Sequence, residues 1–107
     1  MKQPFKAYNI FFTSLANPNR LQIINVLRTK ERNVSEICEA TGFEQTMVSH
    51  NLKRLERCGM VTPRQKGKYR YYTLNKKTIG PLMGLIDTHI KHNCCKLLEQ
   101  NENNTAS

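Results

Sequence analysis

The chain has 107 residues, 38% of them hydrophobic, and 17 lysines and arginines against 8 acids give it a net charge of +9. That length predicts one domain, and one this small buries only about two-thirds of its unfolded surface, so contact with a second copy would add core. The apolar fraction excludes a disordered basic tail, while the charge points to an acidic partner, nucleic acid before anionic membrane.

The spacing Phe5, Tyr8, Phe11, Phe12, Leu15 predicts a first helix over 5–15 with an aromatic stripe. Asn17-Pro18 starts a second, with Asn as the cap and Pro at the first helical position, where its missing N–H costs nothing. Leu21, Ile24 and Leu27 give that helix its buried face, before a polar run from Arg28 to Asn33. Ser35 is the expected cap of a short third helix, Glu36 to Thr41, which Gly42 stops. A fourth helix is expected from Glu44 to Arg57, ended by Gly59. Two helices around a Gly-containing turn, the second one basic, is the helix-turn-helix arrangement. Met60–Gln65 and Tyr69–Leu74 read as strands of a hairpin closed by Lys66-Gly67-Lys68, with their tyrosines weighted toward packing rather than base stacking. A last helix over Thr78–Leu98 carries Ile79, Leu82, Ile86, Ile90, Cys94 and Leu97 on one stripe, and 99–107 reads as a disordered polar tail. The fold class is therefore mainly α with a small β-hairpin, α+β, over residues 1–98.

Charge is not spread evenly over these elements. Lys53, Arg54, Arg57, Arg64, Lys66, Lys68, Arg70, Lys76 and Lys77 face a single acid, Glu56, across the fourth helix and the hairpin. A solvated charged surface ordinarily mixes both signs. On a wheel of about 100° per residue, Val48, Leu52 and Leu55 share one arc, opposite Thr46, Ser49, His50, Lys53 and Arg57. Gln45, Thr46, Ser49 and His50 lead the helix and are suited to base edges, His50 serving equally for phosphate or packing. The cations Lys53, Arg54 and Arg57 follow, suited to phosphates. The hairpin tip, Lys66 and Lys68 around Gly67, with Arg70 behind it, is expected to reach a neighbouring groove. The expected partner is double-stranded DNA.

At these residues the chain resembles the ArsR family of winged-helix repressors, many of which sense metals or metalloids. The matching segments are Leu15–Ile24, Val34–Ile37, Thr41–Phe43, Gln45–Leu52 with Leu55, Cys58–Val61 and Gly67–Leu74, in order within 12–98. The resemblance implies a winged helix-turn-helix homodimer formed through the first and last helices. It also implies binding to an inverted-repeat operator, blocking transcription until an inducer weakens the complex.

The resemblance fails at the metal sites. The family's arsenic-type Cys-x-Cys pair falls on Asn33 and Ser35, with Cys38 one turn further on. Its zinc-type site begins Asp-x-His, matched by Asp87 and His89, but the second half falls on the poor ligands Gln100 and Asn103. What remains is Asp87, His89, His92, Cys94 and Cys95. Vicinal thiolates suit As(III), Cu(I), Cd(II) or Zn(II), and a reversible oxidant is a further candidate effector. The competing reading makes Cys94 a small buried hydrophobe and the histidines solvated. Cys38 and Cys58 are expected in the core. No cofactor is certain.

An enzyme is disfavoured: there is no Gly-rich phosphate loop, no carboxylate pair on a shared face, and no thiol with an evident base and orienter. A winged-helix module for non-specific DNA or RNA binding, or for protein contact without an effector site, is the alternative function. No segment reaches the roughly 20 apolar residues of a membrane span. The start, Met1 to Phe5, lacks a signal core, so a cytoplasmic protein with reduced thiols and no membrane partner is expected.

Overall fold

Apolar side chains spaced for one buried helix face recur through the first half of the chain, and each such run forms a helix. A computed structural model describes residues 4–94, apart from the side chain of Cys94. The expectations for Cys95, Leu97 and the 99–107 tail lie outside the described residues. Helix α1 (Pro4–Leu15) buries only Ser14 and Leu15. Helix α2 (Pro18–Leu27) starts as its sequence requires, with Asn17 Oδ1 accepting the Arg20 N–H at 3.1 Å, and buries Ile23, Ile24 and Leu27.

The polar run that follows is not merely a loop. Arg32–Asn33 forms a two-residue strand, β1, and Asn33 then serves as the cap of α3 (Val34–Thr41). Asn33 Oδ1 accepts the Glu36 N–H at 2.9 Å while Glu36 Oε1 accepts the Asn33 N–H at 3.0 Å. This reciprocal box corrects the assignment of the cap to Ser35: Asn33 and Glu36, three residues apart, together satisfy two donors where a Ser35 cap would satisfy one. Gly42 stops α3 in the left-handed region at φ 77°, its N–H donating to the Cys38 carbonyl at 2.8 Å.

Helix α4 (Gln45–Arg57) packs Val48, Leu52 and Leu55 completely out of solvent, together with Ile23, Ile24 and Ile37 from the two preceding helices. Strands β2 (Val61–Lys66) and β3 (Tyr69–Leu74) pair antiparallel from Val61 opposite Leu74 to Lys66 opposite Tyr69. Gly67, at φ 59°, makes the tight turn between them. β1 adds to the far side of β3, giving a sheet ordered β1-β3-β2. The strand tyrosines divide: Tyr72 is buried, Tyr71 half-buried and Tyr69 exposed.

Helix α5 (Ile79–His89) anchors on the fully buried Ile79, then widens into a π-helical turn, Ile90–Cys94. The apolar spacing predicts a regular α-helix across this stretch. The wider turn breaks the 3.6-residue period on which the stripe to Cys94 was drawn. No helix among the described residues is long and apolar enough to cross a membrane.

Truncating Leu52, which is wholly enclosed, to alanine should cost about 2–5 kcal/mol of stability. Asn33→Ala should cost about 1 kcal/mol through loss of the cap. Urea unfolding followed by far-ultraviolet circular dichroism reads both, and the larger loss belongs to Leu52→Ala.

Candidate nucleic-acid interface

The side of α4 opposite its buried edge faces solvent. Gln45, Thr46, His50, Lys53, Arg54 and Arg57 are exposed and Ser49 is half-buried. Glu44 precedes the helix without a side-chain cap bond, so no side chain covers the first-turn amides beside Gln45 and Thr46. At the other end Arg54 and Arg57 occupy the last turn. Cations there also complement the helix dipole, so they favour the fold whether or not DNA is bound.

Exposure does not make every cation free. Arg54 turns back on the body of the protein, its Nε and Nη2 donating to Ser14 Oγ at 3.2 and 3.1 Å. Ser14 is fully buried, and its hydroxyl also accepts from Cys58 Sγ at 3.4 Å. Arg20 completes the junction: Nε donates to the Ser14 carbonyl at 2.6 Å, Nη2 to the Thr13 carbonyl at 3.3 Å and Nη1 to Asn51 Oδ1 at 3.3 Å. Asn51 is buried within α4 and returns its amide to the Met47 carbonyl at 3.0 Å. Two arginines thus satisfy the terminal carbonyls and the hydroxyl at the end of α1 while fastening it to α4. Periodicity gave no sign of this role. Charge marks Arg54 in the sequence, and nothing in the spacing marks Ser14, Arg20 or Asn51.

The wing cations are also partly engaged. Lys66 pairs with Glu31 and lies 5.2 Å from the centre of the Tyr71 ring. Arg70 Nη2 contacts Glu56 Oε1 and Oε2 at 3.1 and 3.3 Å and sits 5.8 Å from the centre of the Tyr72 ring. Among the described residues Lys53, Arg57, Arg64 and Lys68 make no ion pair. Exposed pairs like those of Lys66 and Arg70 are worth about 0–1 kcal/mol, so exchanging the acid for a phosphate is easy.

Among the described residues, the candidate metal ligands Asp87, His89 and His92 do not converge. Arg28 Nη2 contacts Asp87 Oδ2 at 2.5 Å, and His89 and His92 are exposed. Asn93 Nδ2 donates to the His89 carbonyl at 3.1 Å. Three residues fall short of a full turn in the wider helix that follows His89, so His89 and His92 lose the one-turn spacing of an α-helix. Among the described residues no group of three or more His, Cys, Asp or Glu side chains could hold a metal ion. The Cys94 side chain and Cys95 lie outside the described residues. The donors that are described do not fit a complete metal site.

Comparison with known proteins agrees with this arrangement. Residues 17–62 match the model of the bacterial regulatory protein, arsR family. A solution structure of the homodimeric winged helix-turn-helix DNA-binding domain of Mb0332 from Mycobacterium bovis, a possible ArsR-family transcriptional regulator, superposes with a TM-score of 0.73. It is 33% identical, over 83% of this chain and 86% of that one. The chain belongs to the ArsR family.

Two further relatives are longer than this chain. The HTH-type transcriptional regulator Rv0324 of Mycobacterium tuberculosis is 38% identical over 68% of this chain but only 32% of its own length. A probable mercury resistance operon repressor of Streptomyces lividans is 35% identical over 70% of this chain and 60% of its own length. The chain therefore spans less than two-thirds of either relative. In this ArsR-family chain the segment that matches the family, residues 17–62, runs from the cap of α2 through α4 to the start of β2.

Because Arg54 donates to a buried hydroxyl, Arg54→Gln should lower stability by about 1–3 kcal/mol. Lys53→Gln, one residue away on open surface, should stay within about 0.5 kcal/mol of the parent. Parallel urea titrations compare them, and equal losses would refute the bracing role of Arg54.

Proposed function

We propose that this protein is a sequence-specific, dimeric DNA-binding repressor whose two α4 helices enter successive major grooves of an inverted-repeat operator. The observation that carries this reading is the division of α4. Its aliphatic edge is wholly enclosed, and Gln45, Thr46, His50, Lys53 and Arg57 stand in solvent on the helix that follows the helix-turn-helix bend. Gln45, Thr46 and Ser49 read base edges near the helix start, and His50, Lys53 and Arg57 hold phosphate. Lys68 at the wing tip, with Lys66 and Arg70 released from their acids, tracks the adjacent backbone. Arg54 stays on Ser14 and sets the angle of the helix.

Support for the dimer comes from both ends of the described chain. Phe5, Tyr8 and Phe12 on α1 are 87%, 62% and 57% exposed, and Leu85 on α5 is 70% exposed. Large apolar side chains gathered on exposed helices mark an interaction surface. A twofold mate would cover them with the same residues of the second copy. The homodimeric Mb0332 domain supports this assembly, and the name of the Streptomyces relative supports repression. The described donors give no basis for routing operator release through a metal.

Fluorescence anisotropy on a palindromic upstream duplex and a scrambled duplex tests the reading. Affinity for the palindrome should exceed that for the scramble, and Gln45→Ala should remove about 1–3 kcal/mol of that discrimination. Lys53→Gln should weaken both duplexes alike, and its salt slope should be shallower by about 0.9 for each copy of the site. Equal affinity of the parent for both duplexes would overturn the proposal. Leu85→Glu should turn a dimer into a monomer in sedimentation velocity with the circular dichroism spectrum intact; an unchanged sedimentation coefficient would remove α5 from the interface.

A further inference from the structure

A second basic feature lies away from the recognition helix. The C-terminal end of α2, the turn that follows it, strands β2 and β3, and the start of α5 enclose an open cleft of about 800 Å³. No residue of α3 or α4 lines it, nor does the wing tip at Gly67 and Lys68. This volume lies within the range of about 300–1,000 Å³ typical of small-molecule sites.

Its lining combines three kinds of group. Lys30, Arg64 and Lys76 bring cations from three separate segments, and none forms an ion pair among the described residues. Arg28 also lines the cleft but is held by Asp87. Thr62 and Thr73 lie opposite each other in the β2–β3 register and add hydroxyl groups. Pro63 supplies the accessible apolar surface, while Leu27 and Leu74 line the cleft from the core and are nearly enclosed. A cluster of cations beside hydroxyls and a small apolar floor matches an anion carried on an organic body.

The only acid in the lining reports the local field. Glu31 is held below the usual carboxylate range, first by its hydrogen bond from Lys66 and then by the charges of Lys66, Arg64 and Lys76, against a desolvation that pushes it up. Three cations from the hairpin and its exit thus act together at one point beside the cleft. Glu31 occupies part of the field that an incoming anion would use.

We propose that this cleft is a second anion site that takes a phosphate-bearing small molecule. Lys30, Arg64 and Lys76 hold the phosphate, and the organic portion rests against Pro63. Because the cleft is framed by β2, β3 and the start of α5, its occupant bridges the wing and the last helix. A small molecule seated there therefore contacts both the part of the chain proposed to touch DNA and the helix proposed to touch the second copy.

Isothermal titration of the full chain with inorganic pyrophosphate at low ionic strength tests the site. Saturable binding of one pyrophosphate per chain is expected. Lys30→Gln combined with Lys76→Gln should weaken it about tenfold or more, since two charge-assisted contacts are removed. Glu31→Gln should strengthen it severalfold, whereas Lys53→Gln with Arg57→Gln should leave it unchanged. Unsaturable binding, or equal loss in the Lys53/Arg57 variant, would mean diffuse charge and overturn the proposal. The same variants are titrated with duplex DNA, where Lys30→Gln with Lys76→Gln should match the parent. A lower duplex affinity with a shallower salt slope would assign the cleft to DNA phosphate and exclude the small-molecule site. Duplex binding by the parent is read separately, so failure of the cleft and failure of the regulator reading are distinguishable.

Discussion

Arg20 and Arg54 reach from different helices to the same residue, Ser14, and through it they fix how α1 sits on α4. A hydroxyl buried away from water must find its partners inside the protein, and a helix's last carbonyls lack donors within the helix. Arginine suits this position, since its planar fork donates in several fixed directions at once. Apolar contacts between helices tolerate small sliding motions, whereas a set of directional bonds at one end does not. The junction therefore turns the placement of α1 into a placement of α4. If α1 forms part of the twofold contact, the separation of the two recognition helices follows from these few polar atoms.

That arrangement leaves α4 free to present two chemistries along a length of about 20 Å. Its enclosed edge is aliphatic and shared with α2 and α3, which makes the helix a rigid support. Its open side changes along the axis from uncharged donors and acceptors to cations. The hairpin extends the positive surface beyond the helix end, and Arg70 paired with Glu56 joins the two elements side by side.

Much of this was legible in the sequence because it depends on period. Val48, Leu52 and Leu55 repeat at helical spacing, Asn17-Pro18 marks a helix start, and Gly42 and Gly67 stand where the backbone adopts positive φ. Features set by long-range partners were not legible. β1 has only two residues, and it exists because β3 offers Tyr71 and Tyr72 as register partners. The cap at Asn33 was available in the pattern Asn-x-x-Glu, yet Ser35 has the same local credentials and only the reciprocal bond decides between them. The π-helical turn leaves no mark on apolar spacing until the coordinates show it. Charge counting, likewise, cannot tell a cation in open solvent from one that braces the fold, which is why Arg54 and Lys53 looked equivalent.

The two acids that hold the wing, Glu31 and Glu56, have a consequence for selectivity among polyanions. Each is a tethered mimic of phosphate, present at high local concentration beside Lys66 or Arg70. A flexible anion that meets one of these cations at a time must displace a competitor that never diffuses away. A stiff duplex that lies against the helix and the wing together displaces both acids in one docking event. Internal competition of this kind favours a polyanion that engages both cations at once over an anion that engages only one.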